Sequence, residues 1–270
     1  NHFMQDSFID IGANLTDQSF DQDRDTVIKD SFKNGIEQII VTSSSVNESL
    51  RSIELARSYK GKIWATAGIH PHNASNASEN FKEDLMAILN HDEVVAIGEC
   101  GLDYFRNFSS KEEQRKIFKG HLELAHKVDL PLFLHQREAH DDFLGMIQDY
   151  GPKELKGVAH CFTGSKEQME SYLDLGLYIG VTGWLCDDRR NSELLGAINY
   201  IPKDRLLIET DSPYLMPKSL GKSLNTRRNE PQYLGYIAKE LASIMQISLS
   251  ELSSITRSNT KTLFTKIRAL

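Results

Sequence analysis

Val94-Val-Ala-Ile-Gly-Glu99-Cys-Gly-Leu-Asp103 opens with five apolar or small residues and then places two carboxylates within five positions. An apolar run of that length reads as a strand covered on both faces, with its acidic residues at the C-terminal end. The same design recurs along the chain. Seven more short runs rich in Ile, Val, Leu and Phe lie at Phe8 to Leu15, Ile36 to Thr42, Ile63 to His70, Leu130 to His135, Gly157 to Phe162, Leu177 to Thr182 and Leu206 to Thr210. Between them lie longer segments of helical period. In Ser110 to Val128 the apolar positions Ile117, Phe118, Leu122, Leu124, Ala125 and Val128 mostly follow three-and-four spacing. Ser45 with Glu48, Ser110 with Glu113, Ser165 with Gln168 and Ser248 with Glu251 have the spacing of capping boxes at helix starts.

Eight strands alternating with helices over 270 residues have one economical solution. It is an α/β fold, a closed parallel (β/α)8 TIM barrel forming a single domain over residues 1–270. A doubly wound open sheet has the same alternation, and the polar residues decide between them. Strand ends carry Asn14, His70-Pro-His72, Glu99 and Asp103, His135-Gln-Arg137, His160-Cys-Phe162 and Glu209-Thr-Asp211. In a barrel all of these ends share one mouth. The tail after Leu241 reads as a terminal helix packed on the barrel. Asn1 to Gln5 are expected to be vector-derived or flexible, with Met4 a candidate native start.

Composition narrows the class. Hydrophobic residues make up 40% and charged residues 26%, ordinary values for a globular protein. A net charge of -7 argues against coating nucleic acid by bulk positive charge, though not against a local basic rim. No apolar run reaches the roughly 18 residues of a membrane span, so no membrane association is expected. Three cysteines cannot build a full disulfide framework, which points to a reducing, cytoplasmic location. Nothing in the sequence calls for more than a monomer.

Taken singly, a buried histidine is most readily a core residue bonded to backbone, and Glu99 or Asp211 an ion-pair partner of Arg137 or Arg106. Six strands out of eight ending in His, Asp, Glu or Asn, with almost purely apolar interiors, are hard to obtain from packing. A metal would satisfy several such groups at once. Mixed carboxylate and imidazole donors suit Mg, Mn or Zn, and the carboxylates lean toward the harder ions. Cys100 and Cys161 alternate with Glu99 and His160, so both are expected to point away from the mouth as small core residues. Arg106, Arg137, Arg227 and Arg228, with Lys218 and Lys222, form a candidate phosphate rim. Tyr104, Phe105, Trp184 and Tyr214 follow strand ends and are candidates to stack on bases.

At these residues the sequence resembles the TatD family of metal-dependent deoxyribonucleases. The matching segments are Phe8 to Thr16, Ala67-Gly-Ile-His-Pro-His72, Val95 to Asp103, His160-Cys-Phe-Thr-Gly164, Leu207 to Tyr214 and Arg228-Asn-Glu-Pro231. The resemblance implies a metal-dependent 3′ to 5′ exonuclease acting on single-stranded DNA and also RNA, with Mg as the usual ion and a role in DNA repair or nucleic-acid turnover. Carried onto this chain, the metal ligands are Glu99, His135, His160 and Asp211. His70, Glu209 and Asp211 act on substrate or water, and Arg137, Arg228, Asn14 and Asp103 are candidates on the substrate side. One departure stands out. The wider family opens with Asp-x-His-x-His, whereas Gly12 and Asn14 occupy the histidine positions of Asp10-Ile-Gly-Ala-Asn14. A first metal site that is weaker, or filled only when substrate phosphate supplies ligands, is the expected result. The rival reading is a metal-dependent hydrolase of a small ester, amide or phosphotriester, which would have no use for a basic rim. A non-catalytic nucleic-acid binder is a third reading, and the intact set Glu99, His135, His160 and Asp211 speaks against it.

Overall fold

The computed structural model describes residues 6–268, so the first five residues, and with them the candidate start Met4, lie outside it. Eight strands form one sheet in the order β1 to β8, each parallel to the next. They are β1 Phe8–Ala13, β2 Ile36–Val41, β3 Ile63–Ala67, β4 Val94–Asp103, β5 Leu132–Arg137, β6 Gly157–Ala159, β7 Tyr178–Val181 and β8 Leu206–Ile208. The connecting helices are α1 Arg24–Lys33, α2 Val46–Ser58, α3 Phe81–Leu89, α4 Lys111–Lys127, α5 His140–Tyr150, α6 Lys166–Asp174 and α7 Ser192–Ile198. After β8 come α8 Lys218–Leu224, α9 Leu234–Met245, α10 Leu249–Leu263 and α11 Thr265–Arg268. The alternation is that of a (β/α)8 barrel.

The short β8 meets β1 mainly beyond its own last residue. The Asp211 amide donates to the Gly12 carbonyl, and the Asn14 amide to that of Ser212, both at 2.8 Å. Asp10 on β1 is fully buried and accepts from the Thr210 amide (3.0 Å) and hydroxyl (2.5 Å) and from the Gly12 amide (3.1 Å). One side chain thus fastens the seam of the barrel.

Apolar residues form two layers. Ile9, Ile11, Ile40, Val95, Phe133, Val158 and Leu207 cluster with Leu263, Phe264 and Ile267 of the C-terminal helices. Lys266 donates to the carbonyls of His91 and Val94, at the start of β4. The tail therefore closes the end of the barrel where the strands begin, and the mouth is the opposite end. The larger layer fills the space between strands and helices. Ser110 and Glu113 make the expected reciprocal capping box. Ser45, Ser165 and Ser248 cap their helices one way only, and Glu48 turns to Ser44 instead.

Candidate active site

Glu99 is placed by an irregularity. Ile97 packs in the outer layer, and strict alternation would send Glu99 there too. The β4–β5 register shifts between Gly98 and Cys100, a bulge that re-aims the chain so that Glu99 faces the mouth. Three imidazoles converge on its Oε2: His160 Nε2 at 2.6 Å, His135 Nδ1 at 3.1 Å and His70 Nε2 at 3.3 Å. Burial opposes ionisation of Glu99, but the charges of His160 and His70 and hydrogen bonds from His135 and His160 outweigh it and hold the carboxyl well below its ordinary range.

The hydrogen-bond network separates these histidines by role. His135 Nε2 lies 2.9 Å from Asp103 Oδ2, and His160 Nδ1 lies 2.9 Å from Glu209 Oε1. Each carboxylate accepts a hydrogen bond from the nitrogen facing it, so the other nitrogen, once it loses its proton, can offer a lone pair to a metal ion. His70 is the reverse. Its Nδ1 accepts from the His72 amide at 3.0 Å, which puts the proton of the neutral ring on the nitrogen facing Glu99. Burial pushes His70 down to about 4 despite the Glu99 charge. His70, Glu99 and His135 bring ligand atoms within 4.8 Å of one another, and His160 meets the same Glu99 oxygen, which is the donor chemistry of a divalent-metal site. Burial opposes protonation of His160 and His135 as well. The neighbouring carboxylates outweigh it, raising His135 and lifting His160 well above the usual value, so a metal must displace protons to bind.

Asp211 lies just past β8, in the left-handed region at φ 56°, and faces the same cavity. Burial, assisted by the charges of Glu99 and Glu209, lifts its carboxyl to about 7 even though His160 pulls the other way. Asn14 holds it, donating from Nδ2 to Asp211 Oδ1 at 3.0 Å while its own carbonyl oxygen accepts from Thr42 at 2.5 Å. Both ends of Asn14 are engaged, so it positions Asp211 while itself lining the cavity. Asp103 likewise serves from behind. It is 2% exposed; Oδ2 faces His135 and His72, and Oδ1 accepts from the amides of Phe105 and Arg106. It joins a candidate metal ligand to the loop after β4.

These groups form the floor of a cavity of about 650 Å³, also lined by Arg106, Arg137 and Trp184, a volume in the range of ligand sites. Arg137 is at the mouth as expected, its guanidinium 3.8 Å from the Phe105 ring. Arg228 is not among the lining residues. It is bound by Asp23 (2.7 and 2.9 Å), Glu230 (3.2 Å) and the Ser19 carbonyl (2.9 Å), so the structure does not bring it to the cavity with Arg137. Cys100 lies in the outer layer, opposite in sense to Glu99 as expected, with the bulge setting the phase for both. Cys161 does not, because β6 ends at Ala159 and alternation ends with it; at φ 47° the residue lines the cavity. The sequence reading missed Arg190, which also lines the cavity, 3.8 Å over the Trp184 ring. The basic pair Arg189-Arg190 after β7 was the available signal.

A family model described as TatD related DNase matches residues 9–265. The chain belongs to the TatD-related DNase family. A Salmonella typhimurium protein named 3′-5′ ssDNA/RNA exonuclease TatD is 43% identical over 255 residues, covering 94% of this chain and 98% of that protein. A TatD family hydrolase from Entamoeba histolytica superposes with a TM-score of 0.87 at 35% identity, covering 97% of this chain and 99% of that one. A TatD homologue from Escherichia coli K12 gives 0.88 at 29% identity, with 96% and 98% covered.

Family membership gives the first-strand departure a physical meaning. A Cβ on Gly12 would stand 2.4 Å from Glu209 Oε1, and one on Gly180 would stand 2.4 Å from Glu209 Oε2. Glu209 fills the space these two glycines leave. There it is fully buried, with Oε1 on His160 and Oε2 accepting from the Cys161 amide. In this TatD-family chain a histidine at position 12 and Glu209 in its present place are sterically exclusive.

Proposed function

We propose that this protein is a divalent-metal-dependent exonuclease that removes nucleotides from the 3′ end of single-stranded DNA and RNA, in DNA repair or nucleic-acid turnover. The observation that carries the reading is the convergence of His70, His135 and His160 on one oxygen of Glu99, at the floor of a cavity whose rim holds Arg106 and Arg137. Glu99, His135, His160 and Asp211 would hold the ion. Carboxylates first point to Mg, and the imidazoles shift the donor chemistry toward Mn or Zn. When bound, the ion supplies a lowered pKa for the attacking water and neutralises charge on phosphate oxygens.

The chain's own residues do the rest. Asp211, held by Asn14, takes the proton of the attacking water. His70 donates from Nε2 to a phosphate oxygen. Glu209 and Asp103 keep His160 and His135 in the required tautomers. Arg137 binds non-bridging oxygens with a guanidinium already oriented by Phe105. We further propose a monomer in the cytoplasm. Its three free cysteines suit a reducing compartment, and among the described residues no helix is long and apolar enough to cross a membrane.

The test is digestion of 5′-labelled single-stranded DNA after EDTA stripping, with Mg, Mn and Zn each restored. The expected result is stepwise metal-dependent shortening from the 3′ end, abolished by Asp211→Asn and Glu99→Ala. Shortening that survives both substitutions, or none with any ion, overturns the reading. The second outcome directs attention to small esters, amides and phosphotriesters.

A further inference from the structure

The cavity carries its charge unevenly. Arg106, Arg137 and Arg190 come from the loops after β4, β5 and β7, whereas Asp17 and Glu48 come from the chain after β1 and β2. In a ring ordered β1 to β8 the β1–β2 edge faces the β5–β6 edge, so the two groups stand on opposing walls. The His–Glu99 cluster lines the same cavity.

Each wall is built rather than loose. On the basic side Arg137 lies 3.8 Å from the Phe105 ring and 5.9 Å from that of Trp184, and Arg190 lies 3.8 Å from Trp184. Phe105, Arg137, Trp184 and Arg190 thus make a ladder of two guanidinium groups and two aromatic rings. Such a ladder can hold phosphates and offer faces to bases. Arg189 and Arg190 share the single carboxylate of Asp187, which leaves the wall positive. Among the described residues Arg106 and Arg137 form no ion pair. On the acidic side Asp17 Oδ1 accepts from the Ser19 amide at 2.9 Å and Oδ2 from the Tyr214 hydroxyl at 3.2 Å. Glu48 accepts from the amide and the hydroxyl of Ser44.

We infer that the mouth reads the chemistry of the strand end. The arginine–aromatic wall holds the strand that is retained. The Asp17–Glu48 wall takes the terminal nucleoside, accepts a hydrogen bond from its free 3′-hydroxyl and refuses a terminal phosphate. The inference rests on the exonuclease reading and specifies it. In that reaction water oxygen bonds to the last internucleotide phosphorus, the bond from phosphorus to the penultimate O3′ breaks, and that O3′ takes up a proton. The departing 5′-monophosphate bears no phosphate beyond the scissile one, so only neutral groups face the two carboxylates. A 3′-phosphate, or a chain continuing past the scissile bond, would bring a phosphate against them, and like charges brought together at close range are rejected. The same wall therefore favours removal of end nucleotides over internal cleavage.

Two 5′-labelled oligonucleotides of one sequence, ending in a 3′-hydroxyl or a 3′-phosphate, provide the test, with Asp17→Asn/Glu48→Gln beside the wild-type protein. The expected wild-type result is that the hydroxyl end is shortened at least about tenfold faster. In the double variant that ratio falls toward one because the phosphate end speeds up. Asn and Gln keep an acceptor oxygen for the Ser19 and Ser44 amides. Should the variant still fail to fold, raising the salt on the wild-type protein gives a second reading, since screening should shrink the ratio. Equal wild-type rates on both ends, or a ratio unmoved by both charge removal and salt, refute the wall and leave the exonuclease standing. No shortening of the hydroxyl end with any ion removes both.

Discussion

Gly12→Ala adds one methyl group, and the surroundings fix what it meets. The new Cβ would lie 2.4 Å from Glu209 Oε1 and 3.1 Å from Phe133 Cζ. Glu209 has to retreat by about 1 Å to restore ordinary contact. The other oxygen fits only because Gly180 lacks a Cβ, so the retreat stretches the 2.9 Å bond to His160 and the 3.0 Å bond from the Cys161 amide. Overpacking costs ~1–3 kcal/mol, and losing a hydrogen bond to a charged group ~1.5–3 kcal/mol. A total of roughly 3–5 kcal/mol corresponds to a Tm lowered by about 10 °C or more for a chain of this size. Calorimetric titration should also show metal affinity reduced about 10–100-fold through His160. A double-mutant cycle isolates the cause. In a Glu209→Ala background the clash partner is gone, so adding Gly12→Ala should cost under ~1 kcal/mol and reveal a coupling of ~2 kcal/mol or more. A single Gly12→Ala protein within about 2 °C of wild type, or strictly additive effects, would refute the reasoning.

Three further outcomes follow from individual contacts. Burial lifts Asp10 from an ordinary 3.8 to about 7. The folded state therefore holds that proton more tightly than the unfolded state, and the stability contributed below about pH 4 is lost as pH rises toward 7. Asp10→Asn keeps an acceptor for the Gly12 and Thr210 amides, so in denaturant titrations it should exceed wild type above pH 7, by ~4 kcal/mol at most. An unchanged pH profile would show that Asp10 is not the source. Asp103→Asn removes the anion facing His135 while retaining an acceptor for the Phe105 and Arg106 amides; metal affinity should fall about 10–100-fold with little change in Tm. Arg228→Ala and Arg137→Ala should separate. The first should lower Tm because it frees Asp23 and Glu230, and the second should raise KM for oligonucleotides with Tm held. An equal KM effect from both would return Arg228 to the phosphate rim.

The legible and the illegible parts of this site differ in a physical way. A strand buried on both faces must be apolar, so Val94 to Ile97 and its seven counterparts announced themselves, and a parallel barrel sends their ends to one mouth. Glu99, His135, His160 and Asp211 could therefore be placed together without knowing any distance. What a side chain does there depends on its neighbours, and spacing along the chain does not encode them. Asn14 and Asp103 read as groups facing a substrate, and both line the cavity, but each is also bonded to a residue it orients, which spacing along the chain could not show. Arg228 reads as a free cation beside other cations, yet a carboxylate 205 positions away claims it. Gly12 is the sharpest case. In the sequence it is a missing ligand, whereas in the structure it is half of the cradle that lets Glu209 reach His160. With Glu209 buried in that space, the lack of a side chain on β1 and the support of His160, just past β6, are one structural event. On the proposed reading, metal binding on the Glu99 side should be strengthened by the same glycine that empties the first-strand position, and the Gly12→Ala cycle measures that linkage directly.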